Sequence, residues 1–140
     1  MTEEPAANQG DSAGDDYAWR WSRDGVRQRI LSMTPADALL TVEQYNGRHF
    51  RDVAAHLDTD ICLAGLAPAE AADIRQRVAR LRDGATAWGQ KYWSRRLREL
   101  QQGLPHADDS EILAEMAARH PGFSEESLVE VYNTGIMLAR

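Results

Sequence analysis

His49, Asp52 and His56 are the residues whose types and spacing come nearest to a reactive centre. On a helix, positions 0, 3 and 7 lie within about 60° of one another. Two imidazoles and a carboxylate would then share one face, and these are ligand types of a non-haem iron or zinc site. The two histidines are, however, two turns apart, about 10 Å along the axis at 1.5 Å per residue. Ligand distances are near 2 Å, and metal-binding helices pair His at i and i+4. The plainer reading is a solvated polar face opposite Phe50, Val53 and Leu57, with no metal or cofactor.

Cys62 is the single cysteine and sits among Ile61, Leu63 and Ala64, so it is expected to be buried and inert. It excludes an internal disulfide and a multi-cysteine zinc site, which agrees with a reducing compartment. His106 and His120 flank turns without a visible partner. There is no phosphate-binding Gly-rich loop, no HExxH and no GxSxG. Nothing in the chain argues for an enzyme.

The elements that must position these residues read as helices. Met1 to Asp16 carries five acids and no base and has little apolar content, the composition of a disordered acidic tail over residues 1–16. From Trp19, the apolar positions Trp19, Val26, Ile30 and Met33 keep helical spacing, with Trp21 off that line. Thr34-Pro35-Ala36-Asp37 is a helix start, and Asn46-Gly47 suits a left-handed stop. Phe50, Val53, Ala54, Leu57 and Ile61 then predict a third helix from Arg48, with a break near Asp58-Thr59-Asp60. Pro68 opens a fourth, lined by Ala71, Ile74, Val78 and Leu81 and closed at Asp83-Gly84. Asp108, Asp109 or Ser110 caps one near the C-terminus, which buries Ile112, Leu113, Met116 and Ala117. Ser124 caps the last, which buries Leu128, Val131, Tyr132 and Ile136. No stretch alternates like a strand. The expected fold is all-α, a bundle of about six short helices forming a single domain over 17–140.

Between the fourth helix and the C-terminal pair lies Ala85 to Gly103, with two of the four Trp, one Tyr and four of the sixteen bases. At about 100° per residue, Thr86, Gly89, Trp93, Leu97, Leu100 and Leu104 fall within roughly 40° of one line, which reads as a core stripe. Trp88, Tyr92, Arg95 and Glu99 fall at i, i+4, i+7 and i+11 on another side. A second helix of the same chain would account for this line as core. A partner surface would account for it equally, because Trp, Tyr and Arg are the enriched anchor types.

Charge is unevenly spread. The net charge is −6, yet Arg75 to Arg98 holds eight bases against the single acid Asp83, while residues 99–140 hold eight acids against Arg119 and Arg140. The simplest consequence is that the basic helices pack beside the acidic C-terminal ones. All sixteen bases but Lys91 are Arg, which fits bidentate carboxylate pairing and GC-rich coding alike. The last two helices resemble a helix-turn-helix in outline, but Glu125, Glu126 and Glu130 would face phosphates with like charge.

The expected function is therefore non-enzymatic: a protein-binding helical domain acting as adaptor, regulator or inhibitor. Trp88, Tyr92, Arg95 and Glu99 form its contact line, with Lys91 and Arg98 beside them. The alternative is a nucleic-acid-binding regulator using the central arginines, with Trp88 and Tyr92 for stacking, though the net charge disfavours it. A second alternative is a small metal-dependent enzyme using His49, Asp52 and His56. A protein partner or self-association is expected and no membrane, since no apolar run reaches the ~20 residues of a span. An acidic, polar start without the features of a signal peptide points to the cytoplasm.

Overall fold

A computed structural model describes residues 16–140; the acidic tail expected over 1–16 lies outside them, save for Asp16. The described residues are all-α and contain no strand. Their contacts gather into two units that part at Ala64 and Gly65, within the span 17–140 that the sequence suggested as one domain.

The first unit begins with a helical turn over 16–20, followed by α1 (Arg23–Ile30) and α2 (Pro35–Arg48). The sequence suggested one continuous helix from Trp19, but Ser22 breaks it. The Ser22 hydroxyl donates to the Trp19 carbonyl at 2.7 Å and accepts from the Gly25 N–H at 3.0 Å, capping α1. The break reverses the two tryptophans: Trp19 is exposed, and Trp21 joins Val26, Val42, Tyr45 and Leu57 in the core, with Ile30 and Cys62 against it. The guanidinium of Arg48 lies 3.7 Å from the centre of the Trp21 ring, and that of Arg29 lies 5.1 Å away.

α2 starts as expected, with Thr34 accepting from the Asp37 N–H and Pro35 in the first turn. It continues through Asn46-Gly47 to Arg48, because Asn46 has other work. Its side-chain amide donates to the Leu57 carbonyl at 3.0 Å and accepts from the Leu57 N–H at 2.9 Å, and Tyr45 donates its hydroxyl to the Ala55 carbonyl at 2.9 Å. These three bonds clasp the following segment to α2 as two short 3₁₀ turns, Val53–Ala55 and Thr59–Leu63. The third helix expected from Arg48 is absent, and of its apolar stripe only Leu57 is buried, while Phe50, Val53 and Ile61 face out.

The second unit holds α3 (Pro68–Asp83), α4 (Ala85–Gln102), α5 (Ser110–Arg119) and α6 (Glu125–Leu138). Their ends fall where Pro68, Gly84, Asp109 and Ser124 predicted, and Gly103 closes α4 in the left-handed region at φ 66°. α6 packs most extensively on α4 and also on α5. The α4–α6 crossing is tight at two glycines: a Cβ on Gly89 would stand 2.0 Å from the Gly135 carbonyl oxygen, and one on Gly135 would stand 2.0 Å from that of Ala85.

Two outcomes follow. Gly135→Ala gains about 1 kcal/mol of helix propensity but forces backbone from backbone, so we expect a net loss of about 2 kcal/mol or more in denaturant unfolding. Asn46→Ala leaves the Leu57 N–H and carbonyl without their partner; a loss of about 2 kcal/mol, with faster exchange of the Leu57 amide, is expected from hydrogen-exchange measurements.

Candidate functional site

α4 is where the residues selected from sequence come together, and its rotation decides which of them meet solvent. The glycine crossing presses Ala85 and Gly89 against α6, which turns Trp88, Tyr92, Arg95 and Glu99 inward. Trp88 is 4% exposed. Lys91 and Arg119 lie over its ring, at 4.9 and 5.4 Å from the ring centre, and His120 meets it edge-on at 6.1 Å. Tyr92 is half-buried, with its ring edge-on to those of Trp93, His106 and Tyr132.

Below Tyr92 is a polar network. Glu99, 5% exposed, accepts from the Ala107 N–H at 2.9 Å and pairs with His106 Nδ1 at 3.1 Å. Arg95 and Arg96 stand 3.9 and 3.8 Å from its oxygens. Arg95 reaches on to Asp109 Oδ1 at 2.5 Å, and the Tyr132 hydroxyl donates to the same oxygen at 3.1 Å. The Ala107 N–H and, next, His106 hold the Glu99 carboxyl below its usual range, against the opposing effect of burial. Burial, then Asp109, pushes the Tyr132 phenol up. Together these groups tie the segment between α4 and α5 to α4; the ion pair between a basic and an acidic helix, of the kind the charge pattern suggested, is Lys91 with Glu115.

Of the six residues expected at the contact, Trp88, Tyr92, Arg95 and Glu99 are thus engaged inside the second unit, and Lys91 and Arg98 remain exposed. The stripe expected in the core divides: Gly89 is buried at the α6 crossing and Thr86 is half-buried, but Trp93 is 37% exposed, Leu97 57%, Leu100 62% and Leu104 52%. Trp93 is nevertheless anchored, since its indole N–H donates to the Ile136 carbonyl at 2.9 Å. Gly89, which the sequence places on that same line, meets α6 beside Ala85, so the α6 contact falls between the two lines of α4. Elsewhere in this unit, a groove of about 540 Å³ between α5 and α6 has Leu113, Phe123 and Leu128 in its wall and Asp108, Asp109 and Glu125 at its rim.

The other candidates resolve into structural roles. His49 Nδ1 donates to the Tyr45 carbonyl at 3.0 Å and His56 Nε2 to the His49 carbonyl at 2.8 Å. With the helix from Arg48 absent, these histidines and Asp52 do not share a helical face. Among the described residues, no group of three or more His, Cys, Asp or Glu is placed to hold a metal ion. Burial, with Asp58 and Glu43 adding to it, pushes the Cys62 thiol up to about 11, so it is protonated and weakly nucleophilic at neutral pH. Glu99 and His106 make a carboxylate–imidazole pair, but the Ser110 hydroxyl donates to Asp108 at 2.5 Å. Among the central bases, Arg77 pairs with Asp73, Lys91 with Glu115, Arg95 with Asp109 and Arg96 with Glu99. No helix among the described residues is long and apolar enough to cross a membrane.

Searches against protein-family models, curated proteins and solved structures find no match. A carboxyl held below its usual range stabilises the fold at neutral pH, and that contribution is lost as the pH falls through the depressed value. In acid titrations followed by circular dichroism, Glu99→Gln should therefore lower stability at pH 7 and show a shallower decline than the wild type below about pH 4.3, the ordinary Glu value. His120 is lowered mainly by burial, then by Arg119 and Arg80, so its contribution is complete above its ordinary value and falls away on acidification. His120→Gln should remove that earlier part of the decline.

Proposed function

We propose that this chain is a cytoplasmic, non-enzymatic, protein-binding helical module, an adaptor, regulator or inhibitor, whose contact surface is the outer stripe of α4. The observation that supports it is the exposure of Trp93, Leu97 and Leu100 in one line on the longest helix described, continued by Leu104 just past its end. A row of four large apolar side chains in water is uncommon on a monomer surface and marks association sites. Trp93 has the character of an anchor: it is aromatic, held at its N–H end by the Ile136 carbonyl, and open on the other side. Trp88, Tyr92, Arg95 and Glu99 support this surface from within, whereas Lys91, which lies over Trp88 and pairs with Glu115, and Arg98 stand on another side of α4. Tyr92, Tyr132, Glu99 and Asp109 are engaged in holding α4 against its neighbours.

The test is the double variant Leu97→Asp, Leu100→Asp beside Tyr92→Ala. Surface changes of the first kind leave stability within about 0.5 kcal/mol each, so its thermal midpoint should stay near the wild type while partner capture from native extract is lost. Tyr92→Ala should instead lower the midpoint. If the leucine variant unfolds, the stripe is core; if it retains capture undiminished, the contact lies elsewhere.

A further inference from the structure

Trp88 brings an unspent hydrogen-bond donor to the edge of the second unit. Its side chain is 4% exposed, yet its indole N–H makes no hydrogen bond among the described residues. The indole nitrogen of Trp21 is also without a partner, but it is enclosed. That of Trp88 borders a groove of about 450 Å³ lined by Gly84, Ala87, Trp88, Lys91, Arg119 and His120. A Cβ on Gly84 would stand 3.6 Å from the Trp88 nitrogen, so glycine leaves the space beside the donor open. His120 is half-buried at the same groove, and its ring makes no hydrogen bond among the described residues either. In either tautomer that ring carries an N–H.

Positive charge converges on the same place. Lys91 and Arg119 lie over the Trp88 ring, and Glu115 pairs with both, at 3.2 Å from Arg119. One carboxylate shared between two cations leaves donors over, because an ammonium has three N–H groups and a guanidinium five. Arg80 of α3 is exposed and makes no ion pair among the described residues. Burial first, and then Arg119 and Arg80, hold the His120 imidazole below its ordinary value, which marks a positive potential at that ring. α4 also starts here without a side-chain cap, and the positive end of its dipole adds to the field. Four side chains thus offer donors to one groove, and the nearby carboxylate is already spent on two of them. Such a groove suits a ligand that only accepts. A phosphomonoester has that character, with nearly two charges and three strong acceptor oxygens, whereas a carboxylate brings one charge and two oxygens. We infer that the groove at the start of α4 binds the phosphate group of a small phosphorylated molecule, held by Lys91, Arg119, His120 and the Trp88 N–H, with its organic part along Gly84 and Ala87. The volume is that of a small-molecule site. The site stands independently of the outer stripe of α4.

The experiment titrates the full nitrogen-15-labelled chain with phenyl phosphate, inorganic phosphate or acetate and follows the indole N–H resonances by NMR. Trp88→Phe identifies the Trp88 signal; if that variant unfolds, triple-resonance spectra assign it. Phenyl phosphate should move this signal to saturation, with an affinity that weakens severalfold between about 50 and 500 mM salt. Inorganic phosphate should move it in the same direction, and acetate should bind at least about tenfold more weakly. Lys91→Gln and Arg119→Gln, at exposed positions, should each weaken phenyl phosphate about tenfold. Arg98→Gln, on another side of α4, should leave binding unchanged. No response at Trp88 up to about 10 mM phenyl phosphate, or one that persists undiminished in the Lys91→Gln, Arg119→Gln double variant, would overturn the site. Equal responses to phenyl phosphate and acetate would overturn the phosphate assignment. A phosphoserine peptide that moves the same signal and binds about tenfold more tightly than phenyl phosphate would overturn the small-molecule source in favour of a phosphorylated protein.

Discussion

The contact on which the second unit depends is backbone against backbone, where Gly89 and Ala85 of α4 meet Gly135 of α6. Two helices that touch at glycine have little freedom to rotate about their axes, because any other residue at the crossing would bring a Cβ into the neighbouring carbonyl. The rotation of α4 is set there. At about 100° per residue the contact at Ala85 and Gly89 lies between the two lines of α4; the line of Trp88, Tyr92, Arg95 and Glu99 is turned inward, and Trp93, Leu97, Leu100 and Leu104 stand at the surface.

Having brought a carboxylate and an arginine inward, the fold must satisfy them, since a buried charge without partners is costly. It does so with the segment after α4. Glu99 receives the Ala107 N–H and His106, and Arg95 receives Asp109, which Tyr132 also contacts from α6. One network therefore joins α4, α6 and the linker before α5. The first unit solves a similar problem by neutral means: the Asn46 amide and the Tyr45 hydroxyl take the backbone groups of a segment that has too few turns to satisfy its own.

Much of this was legible in the sequence, and the rest was not, for physical reasons. Helix boundaries were read correctly at several residues that act locally: Thr34 and Pro35 at the start of α2, Pro68 at α3, Ser124 before α6. Those signals depend on backbone geometry within one turn. The apolar line Phe50, Val53, Leu57, Ile61 misled because periodicity is neutral about whether a partner exists to cover it, and Asn46, read as a stop, instead bonds eleven residues along the chain. Trp19 and Trp21 exchanged places because Ser22 restarts the helix between them. On α4 both faces were recognised but the interior was assigned to the leucines by hydrophobicity alone. Gly89, counted in that same line, is the member that does pack inward, on Gly135 forty-six residues later in sequence.

The rotation of α4 is open to one direct measurement: hydroxyl-radical footprinting of the native chain with residue-level mass spectrometry. Heavy modification of Trp93, Leu97 and Leu100, with Trp88, Met116 and Tyr132 protected until denaturant is added, is the expected result. Protection of the leucines together with ready modification of Trp88 would mean that α4 is turned the other way, and the outer stripe would no longer exist as a surface to bind anything.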